Sequence, residues 1–119
     1  MKYLLSLYED EAGFAALSEE DLVQLTKEYF EYGDELERAG ALVASEALQP
    51  TMTAKSLRVR DGKVSTTDGP FAETKEQLGG FYLLECDSME QALEWAAKVP
   101  TAKTGTVEVR PIQDFERPA

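Results

Sequence analysis

Gly80-Phe81-Tyr82-Leu83-Leu84-Glu85-Cys86, running into Asp87-Ser88-Met89-Glu90-Gln91-Ala92-Leu93-Glu94-Trp95-Ala96-Ala97, is the stretch on which the fold turns. Its first half is aromatic and aliphatic and reads as a strand. Ser88 is then a helix N-cap, with Gln91 at the capping-box position. Met89, Ala92, Leu93, Ala96 and Ala97 recur at three- and four-residue steps, which gives one buried helical face. Pro100 stands just past the helix end, and Thr106-Val107-Glu108-Val109-Arg110 returns as a strand. Strand, helix and strand in that order make a βαβ unit.

The front of the chain repeats this order. Tyr3-Leu4-Leu5-Ser6-Leu7-Tyr8 reads as an opening strand. Ser18 caps a helix with Asp21 three residues on, and Glu19, Glu20 and Asp21 suit the positive end of its dipole. Leu22, Leu25, Tyr29, Tyr32 and Leu36 form its buried stripe, and Gly40 ends it. Ala41 to Leu48 is a second strand, stopped by Pro50. Between the two units, Leu57–Arg60 and Lys63–Thr66 flank Asp61-Gly62, a two-residue hairpin signal. The expectation is one α+β domain over 1–119, with a hairpin at about 55–66 and a connector at about 67–79. Two helices cover one face of a mainly antiparallel sheet. The tail from Gln113 is expected to be loose or to dock on a partner.

The strands are apolar on more positions than one helical layer can bury. Tyr3, Leu5 and Leu7 with Phe81 and Leu83 can face one side, and Leu4 and Tyr8 with Tyr82 and Leu84 the other. A second copy of the chain is the simplest cover for the free face, so a homodimer packed sheet to sheet is expected.

The chain has 119 residues with 12 Lys+Arg against 23 Asp+Glu, a net charge of −11. That balance argues against nucleic acid and anionic membrane as partners. Residues 1–46 hold 12 acids and 3 bases, and the acids fall mostly on the first helix. There is no His, which removes His-based triads, His metal ligands and the imidazole switch. One Cys excludes intrachain disulfides and Cys-based zinc sites. No metal and no cofactor is expected, since no phosphate loop, dinucleotide fingerprint or ligand spacing occurs. The apolar run Met1–Tyr8 is too short for a signal sequence, so a cytoplasmic location is expected.

The connector Asp68-Gly69-Pro70-Phe71-Ala72-Glu73-Thr74-Lys75-Glu76 is the most distinctive segment. Three carboxylates and an amine lie within nine residues. Two carboxylates in different environments can divide acid and base roles, which makes Asp68 a candidate base and Glu73 a candidate acid. Phe71 is either a pocket wall or a pin for the loop. Lys75 and the local basic patch of Arg58, Arg60 and Lys63 can cradle a small carboxylate or phosphate, or be plain solvated charge. Tyr8, Tyr82 and Trp95 are candidate pocket aromatics or core. Cys86 lies between Glu85 and Asp87, a setting that disfavours a thiolate.

The same connector, with Gly79-Gly80-Phe81-Tyr82, the 91–97 helix and Gly105-Thr106-Val107-Glu108-Val109-Arg110-Pro111, resembles the DGPF proteins of the YCII-related family, which are bacterial and largely uncharacterised. Met1–Leu5 and Leu48-Gln49-Pro50 share in the resemblance, which covers nearly the whole chain. It implies a ferredoxin-like fold assembled as a dimeric α+β barrel. Related proteins use a His and an Asp in a cleft between sheet and loop, and many DGPF relatives have a His before the Pro after the second helix. Here that position is Val99 and the chain has no His, so neither the pair nor that His carries over, and the resemblance transfers Asp68 as a cleft carboxylate, with Glu73 next. Two functions follow as expectations. One is a small-molecule pocket beside the connector, for an anionic organic ligand, with acid/base or lyase-type chemistry. The other is a non-catalytic dimeric module meeting an extracytoplasmic-function sigma factor or another protein.

Overall fold

A computed structural model describes all 119 residues. The strands are β1 (Lys2–Glu9), β2 (Leu42–Ala47), β3 (Lys55–Arg60), β4 (Lys63–Asp68), β5 (Gln77–Glu85) and β6 (Thr106–Pro111). The helices are α1 (Glu11–Ala15), α2 (Glu19–Arg38) and α3 (Met89–Lys98). Short 3-10 turns occupy Thr51–Thr53 and Pro100–Lys103. Four strands make one antiparallel sheet in the order β2-β5-β1-β6, and β3-β4 is a separate hairpin. Without the hairpin, this is the ferredoxin-like order, with α2 and α3 on one face.

The caps act as their sequences imply. Ser18 Oγ accepts from the Asp21 N–H at 3.1 Å, and Ser88 Oγ accepts from the Gln91 N–H at 3.2 Å. The Gln91 side chain accepts from the Asp87 N–H at 2.7 Å, closing the box one residue early. The additional helix α1 has Asp10 as its N-cap, its carboxylate accepting from the Ala12 N–H at 3.0 Å. At the hairpin turn, Asp61 and Gly62 have φ of 51° and 74°, the paired left-handed geometry that a two-residue turn requires.

The face assignment within the sheet differs from the expectation. Leu5 pairs with Tyr82 and Tyr3 with Leu84, so these four share the helix-covered face. Phe81 and Leu83 lie opposite Ser6 and Leu4, on the uncovered face. Alternation within each strand was legible, but the relative phase of β1 and β5 depends on their pairing register. A bulge between Leu7 and Tyr8 then shifts the remaining pairs, so that Tyr8 meets Leu78. Strand β5 also starts earlier than expected, at Gln77, because its pairing with Glu9 and Tyr8 continues past Gly80.

The core lies between sheet and helices. Leu5, Leu36, Leu84 and Ala92 are fully buried, with Tyr3, Leu7, Tyr32, Tyr82, Ala96 and Val99 around them. Tyr32 stacks edge-on against Tyr82, with ring centroids 5.0 Å apart, and donates its hydroxyl to the Trp95 carbonyl at 2.9 Å. The expected stripe of α2 is buried only in its C-terminal half. Tyr32 and Leu36 are inside, Tyr29 and Leu25 are half-buried, and Leu22 is exposed. Opposite that N-terminal half, the sheet offers Ser45, Ala47 and Gly80, and such small side chains cannot fill the space.

Gly80 is required there by close approach. A Cβ on it would stand 2.8 Å from the Glu46 carbonyl oxygen and 3.4 Å from the Ala47 Cα. Gly80→Ala should therefore lower unfolding free energy by about 1–3 kcal/mol through overpacking against β2. Urea denaturation measures this, and an unchanged midpoint would refute the contact.

Candidate functional site

The gap under the N-terminal half of α2 is a cleft of about 1100 Å³. Its roof is α1 and α2, through Phe14, Leu22, Leu25, Tyr29 and Phe30. Its floor is Leu7, Leu42, Ser45, Ala47, Gly80 and Tyr82 of the sheet. Leu48 to Met52 close one end. There Glu11 of α1 accepts from the Thr51 backbone N–H at 3.1 Å and from the Thr51 hydroxyl, tying the short helix to the 3-10 turn. The volume is just above the usual span of small-molecule sites, and the mixture of apolar walls with a few polar groups is typical of them.

The polar groups collect at the inner end. Tyr29 Oη and Thr101 Oγ1 share a short hydrogen bond, with Thr101 buried. Burial pushes the Tyr29 hydroxyl up, and the charge of nearby Glu9 adds to the rise. Tyr82 is pushed up to about 12, mainly by burial and further by Tyr29. Tyr32 behind them is raised still further by burial. All three phenols stay neutral at pH 7 and can donate a proton to a hydrogen bond. Glu9 is half-buried at the end of β1, and its carboxyl is raised by burial and by Glu76, against a lowering hydrogen bond from Thr104 at 3.2 Å. Glu76 in turn accepts from the Thr106 hydroxyl at 2.7 Å.

The charged lining has one sign. Glu9, Glu11, Asp34 and Glu37 line the cleft, and no Lys or Arg does. A raised carboxyl beside neutral hydroxyls in a cleft is a recognised signature of binding and proton-transfer sites.

Among the residues singled out from sequence, Tyr82 lies on the cleft floor. Tyr8 is on the opposite face of the sheet, half-buried. Asp68 ends β4, and its exposed carboxylate pairs with Lys55 at 2.6 Å. Arg58 is exposed on β3, Glu73 and Lys75 are exposed in the connector, and Phe71 is 84% exposed. None of these five lines the cleft. Glu9, Tyr29 and Thr101 were missed as a group. Tyr29 was read as core stripe, and Glu9 and Thr101 lie at element ends with no local pattern to mark them. Cys86 is buried, and its thiol is pushed up by burial and by Asp87 and Glu85, as its sequence neighbours implied.

The profile of the YCII-related domain matches residues 1–116. The chain belongs to the YCII-related family. An uncharacterised protein of Rhizobium meliloti (strain 1021) is 40% identical over 114 residues, covering 94% of this chain and 92% of that one. In this YCII-related domain the cleft is furnished with tyrosine and threonine hydroxyls and a carboxyl. No helix is long and apolar enough to cross a membrane.

Because Glu9 is raised above its ordinary value, the folded chain holds that proton more tightly than the unfolded chain does. Ionising Glu9 thus costs stability as pH rises through its folded pKa. Glu9→Gln removes the cost, so its Tm should exceed that of wild type at pH 7. The difference should vanish below about pH 4, where both states of the wild type are protonated at this position. A Gln variant melting at or below wild type at pH 7 would contradict the burial of Glu9.

Proposed function

We propose that this YCII-related protein binds a small organic molecule in the cleft between α2 and the sheet. The observation that carries the reading is the one-signed lining of an otherwise apolar cleft, four acidic residues and no base. An anionic ligand, as first expected from the connector, would meet repulsion there. A ligand with an apolar or aromatic body and an amine or other donor head suits the site, with the head near Glu9, Tyr29 and Thr101. Desolvation inside the cleft strengthens such polar contacts. Glu9 is the group for proton transfer, because its pKa is moved toward the working pH. Asp68 is held by Lys55 on the outside of the molecule, a position that supports a structural role for the connector.

The regulatory reading, a module meeting a sigma factor or another protein, rests on the acidic outer surface of α2, where Glu19, Glu20 and Asp21 are exposed. It leaves the cleft unexplained and is the weaker of the two. A cytoplasmic location fits a chain with a single cysteine.

A thermal-shift panel of arylalkyl amines and the matching arylalkyl carboxylates tests the assignment. Amines should stabilise and carboxylates should not. At about 100 times the dissociation constant the gain is roughly 2.7 kcal/mol, on the order of 10 °C for a domain this size. Leu25→Asp should abolish the shift and Glu9→Gln should reduce it. Asp68→Asn and Glu73→Gln should leave it unchanged. A shift given by carboxylates alone, or one lost in Asp68→Asn and kept in Leu25→Asp, would move the site to the connector.

A further inference from the structure

The turn that follows α3 carries two threonines in register. Pro100–Lys103 is a 3-10 turn, in which the Ala102 N–H donates to the Val99 carbonyl at 2.9 Å and the Thr104 N–H donates to the Thr101 carbonyl at 3.2 Å. Side chains three residues apart in such a turn stand one above the other, which brings Thr101 and Thr104 to one side. Each hydroxyl takes a group of the candidate site. Thr101, buried, is hydrogen-bonded to the Tyr29 hydroxyl of α2. Thr104 Oγ1 donates to Glu9 Oε1 at 3.2 Å, at the end of β1. The phenol and the carboxyl belong to separate elements, and one turn holds both.

Gly105 sets how closely that turn lies on β1. Its N–H donates to the Thr101 carbonyl at 2.7 Å. A Cβ on it would fall on the Tyr8 carbonyl oxygen and stand 3.0 Å from Glu9 Cγ. Gly105 has no positive φ, so the requirement for glycine is one of space alone. The backbone at this position lies against the stem of Glu9 and shields it.

Few groups face Glu9. Tyr29 comes from α2, Glu76 from the connector and Thr104 from the turn. Glu76 is itself held by the Thr106 hydroxyl at 2.7 Å, and the β5 residue paired with Glu9 is the uncharged Gln77. With no base among them, Thr104 is the one group that favours the ionised carboxylate.

We propose that Thr104 and Gly105 are positioning residues of the cleft: Gly105 lets the turn press on β1 and shield Glu9, and Thr104 holds the Glu9 carboxyl beside the hydroxyl that Thr101 holds. The inference rests on the reading of Glu9 as the proton-transfer group of the cleft. The two residues act in opposite senses. Shielding favours the neutral acid, and the hydrogen bond favours the carboxylate. Their balance sets the pH at which Glu9 changes state, and so the pH at which it can pair with a cationic head or take a proton from it.

The test needs no ligand. Carboxyl-carbon NMR of glutamate-labelled chains follows the titration of Glu9, its signal assigned by loss in Glu9→Gln. Thr104→Val removes the donor and should move the Glu9 midpoint up, and Thr104→Ser should return it to the wild-type value. Gly105→Ala forces the turn off β1 and admits water. It should move the midpoint down toward that of an ordinary glutamate, because burial is the largest cause of the rise. Ser88→Ala, which removes the cap at the far end of α3, should lower Tm and leave the midpoint in place. A midpoint unmoved in Thr104→Val, or moved as much in Thr104→Ser, would overturn the proposal, and so would one unmoved or raised in Gly105→Ala. The Thr104 pair decides alone if Gly105→Ala does not fold. Should the arylalkyl amines fail to stabilise the protein while these shifts appear, the ligand reading falls and the positioning stands. Amine stabilisation with no such shifts overturns the positioning alone.

Discussion

The register of β1 against β5 is the constraint on which the rest depends. With Leu5 opposite Tyr82 and Tyr3 opposite Leu84, four large side chains point at the helices together. A slip of one residue would send Tyr82 and Leu84 to the far side and leave α2 and α3 nothing to cover. The same register brings Gly80 opposite Leu7, and with it the low floor beneath the front of α2. Core and cleft are therefore two consequences of one pairing. Large side chains at one end of the sheet make the core, and small ones at the other make the cleft.

Tyr32 joins these regions. Its ring packs on Tyr82 and lies 6.2 Å from Trp95, and its hydroxyl is satisfied by the Trp95 carbonyl. One turn earlier, Tyr29 is no longer sealed and its hydroxyl reaches Thr101 at the end of the cleft. The helix thus passes from core to site within one turn. That change follows from what the sheet offers beneath it, since the helix keeps its apolar stripe throughout.

Local signals in the sequence marked the strands, α2 and α3, but not the short helix α1. Ser18 with Asp21 and Ser88 with Gln91 marked two helix starts, and Asp61-Gly62 marked the hairpin turn, because caps and turns are satisfied by residues within a few positions. The connector was also conspicuous, but conspicuousness in sequence did not translate into position. Asp68 is paired to Lys55 on an arm, and Phe71 stands in solvent. The candidate site draws Glu9, Tyr29, Tyr82 and Thr101 from four separate segments, and no spacing rule links them.

By itself, then, the sequence determined the order of the strands with α2 and α3, the caps of those two helices, the hairpin, the surplus of apolar strand surface and the exclusion of imidazole chemistry. Each is written in short-range pattern or in composition. Tertiary structure alone decided which strand faces coincide, where α2 parts from the sheet, and which carboxyl is desolvated beside which hydroxyl. Those outcomes depend on pairing register and on side-chain volume across a gap, and both are properties of residues far apart in the chain.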